Sequence, residues 1–120
     1  MAASRGHQDV AKLLLDGGAD PNIADQDGKT PLYQAVLEGR KDVAQLLLDS
    51  GADPNIAIQY GTTALHWAAF KGHQDVVQLI LDKGARPNMR ERNGRTPLSY
   101  AHQERHTYVA NILIQNGGII

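Results

Sequence analysis

The sequence predicts an all-α fold in which paired antiparallel helices stack in a line. Residues of the same type recur every 33 positions along the 120-residue chain, which is the mark of a repeat architecture. Each period holds two short stretches with apolar residues at helical spacing, and loops rich in Gly, Pro and Asn join them. Helices of eight or nine residues are marginal alone, so neighbouring copies must cover one another's apolar faces.

The recurring positions place about 3.5 to 4 copies in one domain that spans residues 1–120. We assign copy one, which is partial, to 1–24, copy two to 25–57, copy three to 58–90 and copy four to 91–120. Copy one enters midway along its first helix, so we expect a fragment of a longer array. The residues that set the register are Gly28, Gly61 and Gly94; Thr30, Thr63 and Thr96; Leu32, Leu65 and Leu98; Ala35, Ala68 and Ala101; Val10, Val43, Val76 and Val109.

The first helix of each copy is predicted from its boundary residues. Thr30 precedes Pro31, and Thr96 precedes Pro97. A threonine hydroxyl can cap a helix N-terminus, and proline is tolerated at the first helical position. Copy three keeps the cap at Thr63 without the proline. Glycines that can adopt the left-handed conformation end this helix in copies two and three.

The second helix of each copy is predicted from its apolar spacing. It covers roughly 41–49, 74–82 and 107–115, with 8–16 in copy one. Apolar residues recur along it three and four positions apart, which is the pattern of a helix with one buried face. A glycine follows each stretch, and a turn containing Pro and Asn then leads to the next copy.

Composition excludes several classes of protein. The formal net charge is −1 and cysteine is absent, so disulfides and cysteine-based zinc sites are excluded. No apolar run approaches the ~18 residues of a membrane span, and the start does not resemble a signal peptide. We expect an intracellular protein, cytoplasmic or nuclear, without a membrane partner. Nucleic acid is an unexpected partner because no basic face with interleaved aromatic residues is present.

No set of residues supports catalysis or a cofactor. His102 and His106 are four residues apart, but the glutamate between them is not in the zinc-protease position. The register also places His106 in the turn between two helices, away from the face of His102. Only three serines occur, and none is paired with a base by the repeat. We therefore expect a protein that is not an enzyme and carries no metal.

The repeated motif resembles the ankyrin repeat. The resemblance rests on Asp25 to Ala35, on Gly61 to Ala69 with Gly72-His73, and on Gly51-Ala52-Asp53-Pro54-Asn55. It covers essentially residues 2–118, and it implies an ankyrin-repeat solenoid of helix pairs with hairpin loops. In this family the histidines equivalent to His7, His66 and His73 are structural, and those equivalent to His7 and His73 bond the neighbouring hairpin loop. The family serves mostly as a non-catalytic scaffold that binds another protein or peptide on its concave face.

The resemblance also implies which residues would contact a partner. They flank the glycine of each hairpin loop and end each first helix. Carried over by register, with Trp67 added for its aromatic character, they are Gln26, Asp27, Lys29, Leu37, Glu38, Gln59, Tyr60, Thr62, Trp67, Phe70, Lys71, Arg92, Asn93 and Arg95. Gln103 and Glu104 hold the equivalent positions at the end of the copy-four helix.

Other interpretations stay open at this point. Trp67 could instead fill space between adjacent first helices. Residues 1–60 carry a net charge of −4 and residues 61–120 a net charge of +3. The basic cluster of the third hairpin, Arg86, Arg90, Arg92 and Arg95, could take an acidic peptide or meet the acidic end of a second copy, or it could simply be solvated. The chain could therefore be a self-associating structural segment. It could also be a regulatory fragment of a larger protein. The resemblance also implies that Asn22, Asn55 and Asn88 are candidates for hydroxylation.

Overall fold

A computed structural model describes residues 21–120. Its helices are α1 (Pro31–Leu37), α2 (Lys41–Asp49), α3 (Ala64–Lys71), α4 (Gln74–Asp82), α5 (Pro97–Gln103) and α6 (Thr107–Gln115), with a short 3-10 turn at Gln59–Gly61. No strand occurs in this range. The all-α prediction is confirmed, as are the second helices of copies two, three and four. The helix predicted at 8–16 lies outside the described residues, as does His7.

Threonine side chains cap the N-termini of α1, α3 and α5, as the sequence predicts. The hydroxyl oxygens of Thr30, Thr63 and Thr96 accept hydrogen bonds from the backbone N–H three residues later. In α3, where the proline is missing, the His66 side chain also accepts a hydrogen bond from the backbone N–H of Thr63 at 3.0 Å. This reciprocal pair satisfies two otherwise free amides of the first turn.

Left-handed residues join the two helices of copies two, three and four. Gly39 and Gly72 have φ angles of 71° and 73°, which confirms the predicted helix ends. In copy four Arg105 holds the same position with a φ of 59°, a conformation that costs a residue with a side chain about 1 kcal/mol or more. The turn keeps its shape in all three copies, although only two of them have the residue that suits it.

The histidines that follow these turns pack against the preceding copy. The His106 Nε2–H donates to the carbonyl of Phe70 at 2.9 Å, and the His73 ring lies beside Gly39. The expectation that His73 bonds the hairpin loop was wrong, because the start of α4 faces the turn that ends α1. His66 makes the hairpin contact instead, through its Nε2 and the carbonyl of Arg95 at 3.0 Å.

The helices form two rows that share one core. Helices α1, α3 and α5 pack side by side, and α2, α4 and α6 form the second row behind them. The repeated apolar residues lie between the rows: Leu32, Leu65, Leu98, Ala35, Ala68, Ala101, Val43, Val76 and Val109 are all buried. Periodicity in the sequence therefore corresponds directly to burial in the stack.

An asparagine side chain links each copy to the next, where it bonds to the backbone that follows the second helix of that next copy. The Asn55 Oδ1 accepts from the N–H of Arg86 at 2.7 Å, and its Nδ2 donates to the carbonyl of Gly84 at 3.2 Å. Asn22 makes the same pair of bonds to copy two, and Asn88 makes it to copy four. We call these three residues the asparagine ladder.

Candidate functional site

A groove of about 410 Å³ lies between the hairpin tips and the first row of helices. It crosses copies two, three and four, and we call it the groove. Its lining residues are Lys29, Tyr33, Leu37, Ile58, Gln59, Tyr60, Thr62, Trp67, Glu91, Arg92, Asn93, Arg95 and Tyr100. Most of these positions carry a different residue in each copy, in contrast to the repeated core positions.

Carboxylates shape the hairpin tips of copies two and four. The Asp25 Oδ1 accepts hydrogen bonds from the N–H groups of Asp27 and Lys29 at 2.9 and 2.8 Å. Glu91, at the equivalent position, accepts from the N–H groups of Asn93 and Arg95 at 2.7 and 2.9 Å. Each carboxylate thereby closes its own tip into a tight turn.

The hairpin tip of copy three folds differently because Ile58 replaces the carboxylate. The chain there forms the 3-10 turn, and Tyr60 adopts a left-handed φ of 65° beside Gly61. The Thr62 hydroxyl donates to the carbonyl of Gln59 at 3.2 Å. It must therefore accept from the hydroxyl of Tyr33, 3.1 Å away. Ile58 is left half-buried in the lining of the groove.

Tyr60 projects into solvent despite its strained backbone. Its side chain is 65% exposed, and the Arg92 guanidinium carbon lies 5.9 Å from the ring centroid. This is within the range of a cation–π contact, worth about 0.5–1 kcal/mol at exposed sites. The backbones meet as well, since the Arg92 N–H donates to the Tyr60 carbonyl at 2.6 Å. The tips of copies three and four thus form one connected rim.

Aromatic rings pack edge to face along the floor beside this rim. Trp67 and Phe70 have ring centroids 5.3 Å apart, and Phe70 lies 6.1 Å from Tyr100. All three rings are half-buried. The Trp67 Nε1–H has no hydrogen-bond acceptor among the described residues. Trp67 therefore packs between first helices and lines the groove at the same time, so both sequence interpretations describe part of its environment.

His66 is buried beneath the rim as a neutral ring. Its Nδ1 accepts from the N–H of Thr63, so this nitrogen carries no proton, while its Nε2–H donates to the carbonyl of Arg95. Burial lowers the pKa of His66 below its usual value, against a smaller opposing effect of the Arg95 carbonyl. Protonation would break the bond from Thr63 and place a charge in the core.

Glu91 and Tyr100 form a hydrogen-bonded pair at one wall of the groove. The Tyr100 hydroxyl donates to the Glu91 Oε2 at 3.0 Å. Desolvation and this bond to a carboxylate raise the pKa of Tyr100 to about 12. Desolvation also acts to raise the pKa of Glu91, but bonds from the Arg95 N–H, the Tyr100 hydroxyl and the Asn93 N–H outweigh it, so the net shift is downward. Glu91 is thus held as a carboxylate with both oxygens occupied.

Nine of the fourteen predicted contact residues line the groove. They are Lys29, Leu37, Gln59, Tyr60, Thr62, Trp67, Arg92, Asn93 and Arg95. Thr62 is only 8% exposed and its hydroxyl is used within the protein. The five outside the lining are Gln26, Asp27, Glu38, Phe70 and Lys71. Phe70 is half-buried and the others are exposed.

Four lining residues were not predicted, namely Tyr33, Ile58, Glu91 and Tyr100. The register contained the signal for Tyr100, because it occupies the position of Trp67 one copy later. Ile58 and Glu91 occupy the position of Asp25 in their own copies. The residue type at this position changes in every copy, which indicated that it does not belong to the core. Tyr33 replaces the motif histidine, and its reach to the next hairpin follows from its length.

Other features of the described residues are less distinctive. A depression of about 600 Å³ lies over the turn between α1 and α2, where Glu38 and Arg40 pair with each other at 3.0 Å. It is larger than the groove, but its lining has no exposed aromatic residue. No group of three or more His, Asp or Glu side chains within 21–120 could hold a metal ion. None of the helices in this range has the length and hydropathy needed to cross a membrane.

Comparison with known proteins gives a consistent result. The family model for ankyrin repeats (3 copies) matches residues 1–58 and 57–119. A mouse Fibronectin type 3 and ankyrin repeat domains 1 protein is 60% identical over 37 residues, which is 31% of this chain and 11% of that protein. An ankyrin repeat-containing protein of Schizosaccharomyces pombe is 56% identical over 32 residues, or 27% of this chain and 16% of the relative.

A third relative carries a functional name. Protein phosphatase 1 regulatory subunit 12A of mouse is 51% identical over 35 residues, covering 29% of this chain and 3% of that subunit. In all three cases the aligned segment is a small part of the relative's length. Ankyrin repeats generally mediate protein–protein interaction, and they are typically non-catalytic. With the repeat register, the two-row helical stack and a family match over nearly its whole length, this chain belongs to the ankyrin repeat family.

Proposed function

We propose that this chain is a non-catalytic scaffold that binds a partner protein or peptide through the groove. The main support is the conformation of Tyr60, which has a left-handed φ of 65° and a side chain that is 65% exposed. A strained backbone and an exposed aromatic ring both cost free energy that folding does not recover. Such positions concentrate at binding sites, where rigid aromatic residues contribute disproportionately to interfaces.

The makeup of the groove supports the same function. Its rim carries Tyr60 and Arg92 in mutual contact, and tyrosine and arginine are enriched in protein interfaces. Its floor is half-buried and partly apolar, at Leu37, Ile58 and Trp67. An apolar floor inside a polar rim is the usual anatomy of an interface. The family relationship adds a general expectation of protein binding, although a fold alone does not identify the partner.

The wider setting is also part of this proposal. Residues 1–120 form one repeat domain with copies at 1–24, 25–57, 58–90 and 91–120, and the protein acts inside the cell. The name of the phosphatase regulatory subunit supports a role that involves a protein partner. The partner would contact the hairpin tips of copies three and four, because Tyr60 and Arg92 are exposed there.

The test is capture of partners from a cell lysate with the wild-type chain and a groove variant. We choose Tyr60→Asn with Arg92→Gln, because both side chains are exposed, whereas Phe70 packs against two other rings. The matched control is Tyr108→Asn with Arg86→Gln, which makes the same two changes at exposed positions outside the groove. Circular dichroism establishes that each variant is folded.

We expect a protein that the wild type and the control retain and the groove variant loses. Equal retention by all three chains would contradict the proposal, and so would a lysate from which none of them retains a protein.

A second candidate function is self-association through the last copy. Tyr108 is 76% exposed and Ile114 is 52% exposed, both on α6. Stacking on a second chain would cover these apolar side chains. Sedimentation equilibrium at high protein concentration and low salt tests this, and a monomeric mass would exclude it.

A further inference from the structure

We infer that the groove recognises an acidic, extended segment of the partner, whose carboxylates bind the side chains of Arg92, Arg95 and Lys29. This inference rests on the proposed function and names the chemistry of its partner. It starts from the charges that line the groove, which differ in sign from those of the whole chain. The chain carries a net charge of −1, whereas three cations and one carboxylate line the groove, a net of +2.

The single carboxylate of the lining already accepts hydrogen bonds at both of its oxygens. The Glu91 Oε1 accepts the N–H groups of Asn93 and Arg95, and its Oε2 accepts the Tyr100 hydroxyl. Glu91 is only 7% exposed. Its charge therefore acts within the hairpin tip, and a ligand approaching from solvent meets mainly the arginines.

Neither arginine forms a direct ion pair among the described residues, although the charge of Arg95 helps to lower the pKa of Glu91. Arg92 lies over the Tyr60 ring, and the Arg95 Nη1 donates to the Gln103 side chain at a long 3.4 Å. No carboxylate within residues 21–120 forms an ion pair with either of them. Both side chains are exposed. Guanidinium groups bind carboxylates through two parallel hydrogen bonds, so each can take one acidic side chain.

The positions of the arginines favour a segment of chain over a single anion. Arg92 stands at the hairpin tip and Arg95 begins the return toward α5, while Lys29 lies on the tip of copy two across the groove. The half-buried Leu37, Ile58 and Trp67 lie among them in the lining. A segment with acidic residues on either side of an apolar one matches this arrangement of charge and apolar surface.

Single-stranded nucleic acid fits the same groove less well. Binding of that kind uses aromatic faces on which bases stack. Here Trp67, Phe70 and Tyr100 already pack edge to face against one another, and Arg92 lies over the Tyr60 ring. A net charge of +2 is also small for a groove that tracks a phosphate backbone.

The experiment uses the protein's own tryptophan as the reporter. Trp67 is the sole tryptophan of the chain and lines the groove. The probe is the capped peptide Gly-Glu-Leu-Glu-Asp-Gly, titrated while Trp67 emission is recorded. The matched peptide has Gln and Asn in place of the acidic residues, and a short oligothymidylate serves as the nucleic-acid arm. Because ionic attraction is screened by salt, the titrations are made at low and at high salt.

We expect the acidic peptide to bind at least ten-fold more tightly than the neutral one at low salt, with the difference reduced at high salt. The variant Arg92→Gln with Arg95→Gln should remove this preference. The control variant Lys41→Gln with Arg86→Gln removes the same charge outside the groove and should keep it.

Four results would overturn the inference: equal affinity for both peptides, binding of neither, equal loss of preference in the two variants, or tighter binding of the oligothymidylate. Any of these, combined with a lysate protein that only the groove variant fails to retain, would leave the proposed function intact and reject its acidic specificity. If the lysate experiment fails while the acidic peptide still binds preferentially, the groove binds acidic peptides but the proposed capture of a cellular partner is rejected.

Discussion

The asparagine ladder and the hairpin tips both connect one copy to the next, but they do so in opposite ways. Asn22, Asn55 and Asn88 make the same contact, with Oδ1 to backbone N distances of 2.7, 2.7 and 2.8 Å. The hairpin tips have no such uniformity: carboxylates close two of them, and a 3-10 turn forms the third. Repeated residues therefore hold the stack together, and the variable ones give the groove its character.

This contrast indicates that stability and binding depend on different positions. A change at a repeated position removes a contact on which the neighbouring copy depends, so it should lower the free energy of unfolding. A change at an exposed groove position removes little from the fold. Substitutions at the two kinds of position should therefore differ in their effect on stability.

The largest effect is expected for Gly72→Ala, between α3 and α4. A β-carbon there would lie 2.6 Å from the His106 Nδ1, so the ring must move and its bond to the Phe70 carbonyl would be lost. The left-handed φ of 73° adds its own cost. We expect the free energy of unfolding to fall by about 2–3 kcal/mol, measured by urea denaturation.

Gly39→Ala is the matched comparison for that change. Its φ is 71°, but a β-carbon there would make only ordinary contact with the His73 ring at 3.6 Å. The loss should therefore be about 1 kcal/mol, from backbone strain alone. Equal losses for the two variants would show that the stacked histidine ring does not matter at this turn.

The next effect is expected for Asn55→Ala, which removes one rung of the asparagine ladder. Two hydrogen bonds to copy three are lost, and each contributes about 1 kcal/mol. We expect the free energy of unfolding to fall by about 2 kcal/mol in urea denaturation. Asn93→Ala, at the exposed hairpin tip of copy four, should change it by less than about 0.5 kcal/mol. A larger loss for Asn93→Ala would contradict the division between ladder and tips.

The smallest effect concerns pH and His66. Because burial lowers the pKa of His66 in the folded state, the unfolded chain takes up a proton first as the pH falls below the ordinary value of 6.5. The contribution of neutral His66 is thus complete above pH 6.5 and is lost as the pH falls toward the folded pKa. The slope cannot exceed about 1.4 kcal/mol per pH unit for one group.

Urea denaturation between pH 7 and pH 5 measures this slope. His66→Gln should be less stable at pH 7, since the bonds to Thr63 and Arg95 are disturbed, but its stability should depend less on pH. An unchanged slope in His66→Gln would show that His66 is not the titrating group.

The helices were predictable from the sequence because their signals are local or periodic. Thr30 and Thr96 mark helix starts by capping chemistry, and the 33-residue spacing gave the register of the core. The asparagine ladder was not predicted, although Asn22, Asn55 and Asn88 recur at that spacing. Their bonds run to backbone atoms of the next copy, and a pattern of residue types does not show which backbone atoms a side chain will reach.

The groove was predictable in outline but not in detail. The register placed Tyr60, Arg92 and Arg95 near one another. The left-handed backbone of Tyr60, however, depends on the replacement of the hairpin carboxylate by Ile58. The roles of Glu91 and Tyr100 depend on a side-chain contact across nine residues. The misplaced His73 contact has the same origin, because helix packing rather than sequence order decides which loop a side chain faces.

Tyr60→Asn and Asn55→Ala separate stacking from binding when stability and partner capture are both measured. Asparagine tolerates the left-handed conformation better than tyrosine, so we predict that Tyr60→Asn keeps or slightly raises the free energy of unfolding while capture falls. Asn55→Ala should lose stability while the folded protein still captures its partner. If Tyr60→Asn unfolds more easily and captures normally, the hairpin tip serves the fold, and the separation of stacking from binding is wrong.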